Sequence, residues 1–307
     1  MRDRPEKGRA GDMFELVSKG GKLKVASHGE DLDGLFSASL IALMHPENLE
    51  IRFTAPYEIK ESLESFDIVL DLPPPKGGVR ILVDHHESNL SLLSRVRTAF
   101  IRPEYPSTAR LLYDIMREWE PQVEDFSSTV DLVDQTDTGN LDLSSALFTA
   151  AIRKIFKWRR PSLLKVVKDL LTYPPTTSND LIKLPTVRKD VDLIEREYGD
   201  KLRELLSLEG GDAILVKMEL LPSYLVPVVQ LAARRYRFFG TITTGSDGAL
   251  RLSLRSRDDS PLSALEVAER LGGGGHKNAA GALIMPSRME DLLAIVGSKM
   301  KFELITV

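Results

Sequence analysis

The 307-residue sequence contains no cysteine. Disulfides, thiolate nucleophiles and Cys-ligated zinc or iron–sulfur clusters are thereby excluded. Any metal has to be held by His, Asp, Glu or backbone oxygen. Amides are scarce, five Asn and three Gln beside abundant Lys, Arg and Glu, a composition that suits a heat-adapted protein. No apolar run approaches the roughly 18 residues of a membrane span, and the stretch Met1 to Asp12 lacks the apolar segment of a secretion signal. It reads as a mobile tail, and the chain as soluble and cytoplasmic with no membrane partner. A basic excess is missing too: 41 Lys and Arg stand against 45 Asp and Glu, net −4, which is no global polyanion-binding signature. The charge is uneven, however. Residues 212–307 carry 12 basic and 10 acidic side chains, so the acidic excess lies in residues 1–211. An acidic half can still meet a polyanion if its carboxylates hold metal ions.

What is present is ordinary globular material, 42% hydrophobic and 28% charged, in a length that suits two domains. Leu23–Ala26, Asp67–Asp71 and Val79–Val83 are short continuous apolar strands, and an apolar helix runs from Leu35 to Met44. Buried-type strands alternating with helices predict a parallel sheet covered on both faces. Pro106-Ser107-Thr108 reads as a helix start, with Ser107 or Thr108 as N-cap, for a helix over 109–119. Residues 127–135 and 144–157 read as further helices, and 186–206 as a charged one that ends at Glu209-Gly210-Gly211-Asp212. The expected organisation is α/β throughout, with a catalytic domain over 1–185, a helical linker over 186–211 and a smaller α/β domain over 212–307. In that last part the pattern predicts strands at 213–220, 239–243, 250–256 and 282–285. Helices are predicted at 225–235, 261–271 and from Met289, with a Gly-rich loop before residue 282.

Three of the predicted parallel strands end in acid: Asp31 and Asp33 after the first, Asp71 at the second, Asp84 after the third. Ligands of open α/β sheets bind at the carboxyl ends of strands. Clustered carboxylates repel one another unless cations neutralise them. Histidines accompany the acids: His28 precedes the first pair, and His85 and His86 follow Asp84. Hard oxygen donors with one or two imidazoles suit Mn²⁺ or Mg²⁺, with zinc as an alternative. Four carboxylates and three imidazoles exceed one ion's shell, so two metals sharing a carboxylate is the economical reading. His45, ahead of Pro46, reads as a helix cap.

Asp84-His85-His86, with Asp31-Leu32-Asp33-Gly34 and Asp71 before it, resembles the DHH phosphoesterase superfamily. Gly272-Gly273-Gly274-Gly275-His276-Lys277-Asn278-Ala279-Ala280-Gly281 is similar to the GGGHxxAAG signature of the DHH-associated C-terminal domain. Two motifs in the family's order cover nearly the whole chain. The resemblance implies that His28 and Asp31 hold one ion, that Asp33 and His85 hold the other, and that Asp71 bridges them. It further implies one more aspartate from the family's fourth motif; Asp137 matches best, Asp134 is the alternative, and Asp131 is a solvated helix residue. Asp84 would orient an imidazole or a metal-bound water, and His86 would contact the scissile phosphate. One departure is visible: His28 stands three and five residues before the two aspartates, where the family's first motif has four and six.

The glycine run lacks the Gly-Lys-Ser/Thr ending of a Walker loop. As a helix end it forms a tight turn; its exposed N–H groups also admit a phosphate. The resemblance makes Gly273, Gly274, Gly275 and His276 substrate contacts. The alternating Arg251–Arg257 strand puts Arg255 on the polar face, and a similar Ser-X-Arg-Ser element in the family makes it a phosphate contact. Arg153–Arg160 interleaves cations with aromatics in the manner of single-strand binders. The apolar spacing of Ile152, Ile155 and Phe156 explains it as an amphipathic helix instead. Arg234, Arg235 and Arg237 read as a helix-end cluster.

The expected function is a manganese-dependent phosphodiesterase with two ions, Mg²⁺ being the alternative. Its substrate would be short or single-stranded nucleic acid, trimmed as by an exonuclease, with the second domain recognising it. A cyclic-dinucleotide or nucleotide phosphodiesterase is the first alternative. A non-catalytic nucleic-acid-binding replication or repair scaffold is the alternative from another class; it predicts missing ligands. The family's habit leaves homodimerisation open.

Overall fold

In the computed structural model of the protein, the described residues are 6–7, 10–18, 21–44, 48–245 and 247–307. They fall into two compact units that divide between Val191 and Asp192, inside the helix Pro185–Leu206.

Apolar runs make the strands of the first unit: β1 (Glu6–Lys7), β2 (Leu23–His28), β3 (Leu49–Thr54), β4 (Phe66–Leu70), β5 (Val79–Asp84) and β6 (Val96–Ile101). They form one parallel sheet in the order β1-β6-β5-β4-β2-β3. Val25, Ala26, Ile68, Val69, Leu70, Leu82 and Val83 are fully buried, as strands covered on both faces require. The helix Leu32–Met44 is buried from Leu32 to Ile41; being apolar all round, it runs through the core rather than over it. The chain leaves β2 toward β3 on one side and returns to β4 on the other, so the strand order reverses between β2 and β4. Such a switch point opens a crevice at the carboxyl ends of the strands, and β2, β4 and β5 deliver His28, Asp71 and Asp84 there.

The second unit holds β7 (Gly211–Met218), β8 (Tyr236–Thr244), β9 (Leu250–Ser256), β10 (Gly274–His276), β11 (Ala279–Ile284) and β12 (Phe302–Thr306). Their order is β10-β11-β9-β8-β7-β12, with β7 parallel to β8 and β12 and the remaining pairs antiparallel. Leu252, Leu254, Ala280, Ala282 and Ile284 face a core closed by Val267, Ala268, Leu292 and Val296.

Several expectations are corrected. The N-terminal stretch is not a mobile tail throughout: Glu6–Lys7 pairs with β6, and Ala10–Ser18 is a helix with Met13, Leu16 and Val17 buried. Its charged flanks mask that i, i+3, i+4 spacing. A single helix over 225–235 is replaced by short turns at Ser223–Leu225, Val226–Val229 and Gln230–Arg235; Pro227 and the valines around it disfavour a long helix. The glycine loop is partly strand, since β10 pairs with β11. Strands β3, β6 and β12 were not anticipated. His45 lies outside the described residues. Among the described residues no helix is long and apolar enough to cross a membrane.

Candidate metal centre

Each acidic side chain is set by a local device. Gly34 lets the helix Leu32–Met44 start against the end of β2: a Cβ there would meet the His28 carbonyl oxygen at 2.3 Å. That approach brings His28 and Asp31 together, with Nδ1 2.7 Å from the Asp31 carboxylate. Asp33 is buried within the first turn. Its two oxygens accept from the Thr108 and Ala109 amides at 2.8 and 2.7 Å. Those amides open the helix Thr108–Met116, whose N-cap is Ser107, so a helix N-terminus holds the carboxylate. Asp71 follows β4 with φ +55, a conformation rare for a residue with a Cβ. It aims one oxygen at His28 Nδ1, 3.2 Å away. The other lies 3.5 Å from His86 Nδ1 and 3.9 Å from His85 Nε2 and accepts from the Thr108 hydroxyl at 3.3 Å.

Asp84 ends β5 with no exposure. It accepts from the His86 amide at 3.2 Å, faces His86 Nδ1 at 2.9 Å, and accepts from the Asn89 side-chain amide. His85 Nε2 stands 3.2 Å from Asp137 and 3.9 Å from Asp33; its other nitrogen lies 3.2 Å from the Tyr105 carbonyl oxygen. Asp137, the last residue of the helix Ser127–Asp137, therefore joins the cluster. Asp134 does not: Ser107 Oγ and Arg110 Nε donate to it at 2.6 and 2.7 Å.

Among the described residues three donor groups result, each with its ligand atoms within 4.8 Å of one another: His28, Asp31 and Asp71; Asp33, His85 and Asp137; Asp71, His85 and His86. The electrostatics describe a site short of positive charge. Burial raises the Asp33 carboxyl well above its usual range, and the charges of Asp71, Asp137 and Asp31 add to this. Burial likewise lifts Asp71 to about 6 against the pull of His28. Burial works against the imidazoliums, yet Asp31 and Asp71 hold His28 well above its normal value, and Asp84 and Asp71 bring His86 to about 9. Asp31 is held at about 2, because the His28 charge outweighs its burial. His85 Nε2 is buried and faces three carboxylates, Asp137 at 3.2 Å and Asp33 and Asp71 at 3.9 Å. Hard oxygens with imidazole nitrogens fit divalent ions of the Mn²⁺, Mg²⁺ or Zn²⁺ kind.

The other expected site residues lie in the second unit. Register sets His276 opposite Ala279 and Ala279 opposite Arg255, so both side chains stand at one level across β10, β11 and β9. Gly273 and Gly275 are demanded by packing, since a Cβ would meet backbone oxygens at 2.1 and 2.6 Å. Gly274 faces open space, and His276 is exposed. Sequence reasoning missed Asn89, Thr108 and Ala109, whose amides and hydroxyl hold the acids; the helix cap was legible, its aim was not. The Arg153–Arg160 stretch, with Ile152 before it, packs Ile152, Ile155 and Phe156 into the core and pairs Lys154 and Arg159 with Asp190 and Arg160 with Glu58.

Residues 236–301 match the DHHA1 domain family. No curated protein sequence matches the chain. Among solved structures, the pGpG-specific phosphodiesterase PggH from Vibrio cholerae is similar over 89% of this chain and 97% of its own, at TM-score 0.62 and 18% identity. RecJ from Thermus thermophilus, solved with Mg²⁺, aligns with 97% of this chain but 53% of its own length, at TM-score 0.53 and 16% identity. At these identities the likeness is one of fold.

Proposed function

We propose that this protein, a member of the DHH phosphoesterase superfamily by its motifs, its DHHA1 domain and its fold, is a manganese-dependent phosphodiesterase that hydrolyses short single-stranded nucleic acid. The observation that carries the reading is the placing of Asp71, one oxygen toward His28 and the other toward His86 and His85, between the His28–Asp31 donors and His85, which also belongs with Asp33 and Asp137. His28 and Asp31 would hold one ion and Asp33, His85 and Asp137 the other, with Asp71 common to both. Two divalent ions held there would supply Lewis acidity toward phosphate oxygens and would lower the pKa of water toward neutrality.

The chain's own residues do the rest. The Thr108 and Ala109 amides and the Asn89 amide keep Asp33 and Asp84 in fixed orientations, so little reorganisation accompanies reaction. Asp84 holds the His86 ring by Nδ1, and His86 lines the cavity beside Asp71; we assign it to the scissile phosphate. Water adds at phosphorus, the ester P–O bond breaks, and the leaving oxygen takes a proton. Arg255, Gly274 and His276 are assigned to substrate in the second unit. The size of the cavity, about 470 Å³, favours short oligomers, down to dinucleotides, and the specificity of PggH for pGpG points the same way.

The test is incubation with Mn²⁺ and end-labelled single-stranded DNA and RNA of graded length, beside a cyclic dinucleotide, with Asp71→Asn as control. Laddering that the variant lacks is expected, and the labelled end gives polarity. Cleavage of the cyclic compound alone would move the protein to signalling turnover. Binding without cleavage of any substrate would overturn the enzyme reading in favour of a scaffold.

A further inference from the structure

The cavity over the acids is larger than ions and one phosphate need. It measures about 470 Å³, in the range of sites that enclose small organic ligands, and every lining residue belongs to the first unit. It is lined by the acids Asp31, Asp71 and Asp137 with His28, by the aromatic and apolar side chains of Tyr57, Leu72, Pro73 and Leu92, and by Lys60 and Ser91. Tyr57 and Lys60 lie three residues apart on the short helix Pro56–Lys60, so they share a face. Tyr57 is 68% exposed, yet its helix is firmly tied. Between them Glu58 sits on the Arg160 guanidinium through two bonds of 2.9 and 3.0 Å and accepts from the Thr54 hydroxyl at 2.9 Å and the Ala55 amide at 3.2 Å. Arg160 in turn lies 3.9 Å over the Phe156 ring, and Phe156 abuts Gly29 beside His28. An exposed aromatic ring on a braced helix, on one face with a lysine and lining the same cavity as a cluster that suits a phosphate with its cations, is a preorganised platform.

Resting on the phosphodiesterase reading, we infer that this pocket is a nucleoside subsite of the first unit: the base of one nucleoside stacks on Tyr57, its scissile phosphate lies over the acids, and its second phosphate pairs with Lys60. The kinds of group that line the pocket, carboxylates, an aromatic ring with apolar side chains, and an ammonium, match a nucleoside flanked by two phosphates. One phosphate needs cations over the carboxylates, the base needs the apolar wall, and the next phosphate meets an ammonium.

Tyr57→Ala, Tyr57→Trp and Lys60→Ala test it on linear dinucleotides with and without a terminal phosphate at either end, and on the same compounds with one base removed. Thermal melting confirms that each variant is folded, which the exposure of these side chains leads one to expect. A base–aromatic stack is worth roughly a 5- to 150-fold change in binding, so Tyr57→Ala raises KM by that order and Tyr57→Trp does not. Removing the pocket-side base has the same effect, and the two changes together cost no more than either alone. Lys60→Ala erases the preference for the terminal phosphate, and the end at which the preference lies identifies the nucleoside that the pocket holds. A 2-aminopurine base in the pocket is quenched on binding by the wild-type and Tyr57→Trp proteins and not by Tyr57→Ala, a readout independent of turnover. If dinucleotides are cleaved and Tyr57→Ala matches the wild type, or its penalty adds to that of base removal, the subsite is overturned alone. If longer oligomers or a cyclic dinucleotide are cleaved but no linear dinucleotide is, the subsite is likewise overturned alone; if no phosphodiester substrate is cleaved, the phosphodiesterase reading falls with it.

Discussion

Replacing Asp71 with asparagine separates the two roles that crowded acids play, because it changes stability with opposite signs in the presence and absence of metal. Asp71 is 3% exposed and burial lifts its carboxyl to about 6. A carboxyl raised in the folded state binds its proton more tightly there than in the unfolded chain. Its contribution is therefore fully present below the unfolded value near 4 and is lost as pH rises through about 6. At neutral pH without divalent ions the charge destabilises the fold, and Asp71→Asn leaves the melting temperature unchanged or raises it. With Mn²⁺ the sign reverses. An ion at about one hundred times its dissociation constant stabilises the folded state by about 2.7 kcal/mol. For a unit of roughly 150–250 residues each kcal/mol moves the midpoint by about 2–4 °C, so the wild-type transition rises by roughly 5–11 °C. The variant, lacking the carboxylate assigned to both ions, loses most of that rise. Scanning calorimetry of the transition that responds to metal, in EDTA and in Mn²⁺, reads both effects. A variant that melts well below the wild type in EDTA, or that keeps the full metal-induced rise, would refute the reasoning.

Asn89→Ala removes a donor from buried Asp84; kcat should fall by roughly 10- to 100-fold, the usual cost of loosening a group that orients the site, while the Mn²⁺-induced melting shift stays. Ser107→Ala deletes the cap of the helix that holds Asp33 and should cost about 1 kcal/mol in chemical denaturation, with weaker Mn²⁺ binding by titration calorimetry. Glu58 is partly shielded by burial, which raises its carboxyl, but Arg160 and the Ala55 amide hold it below the usual value. Its stabilising effect is present above the unfolded value and fades as pH falls below it, so Glu58→Gln should flatten the acid limb of a stability–pH curve. Gly273→Ala should lower the melting temperature of the second unit through its backbone clash, whereas Gly274→Ala, in open space, should leave it in place; equal effects would break the packing argument.

Much of the first unit was legible because its strands are continuous apolar runs, whose burial in a parallel sheet follows from composition alone. Edge and flanking strands were harder. Strand β3, Leu49-Glu50-Ile51-Arg52-Phe53-Thr54, alternates as an edge strand should and is half exposed; the signal was there but short. The residue types of the metal site were legible for a different reason. Metal chemistry restricts the donors to His and Asp once Cys is absent, and parallel-sheet topology puts strand ends on one side.

The sequence by itself determined the α/β class, the acids and imidazoles at the strand ends and the glycines of β10, since periodicity and donor chemistry are local properties. Only the tertiary structure decided which atoms meet. Asp134 and Asp137 lie three residues apart on one helix, and no spacing distinguishes them; Ser107 and Arg110 occupy the first, while the helix end carries the second to His85. The bond of a helix N-terminus to Asp33, the turn that gives Asp71 two faces, and the bracing of Tyr57 through Glu58, Arg160 and Phe156 all join residues far apart in the chain. Such contacts are set by register and packing, which are properties of the assembled core and not of any one segment.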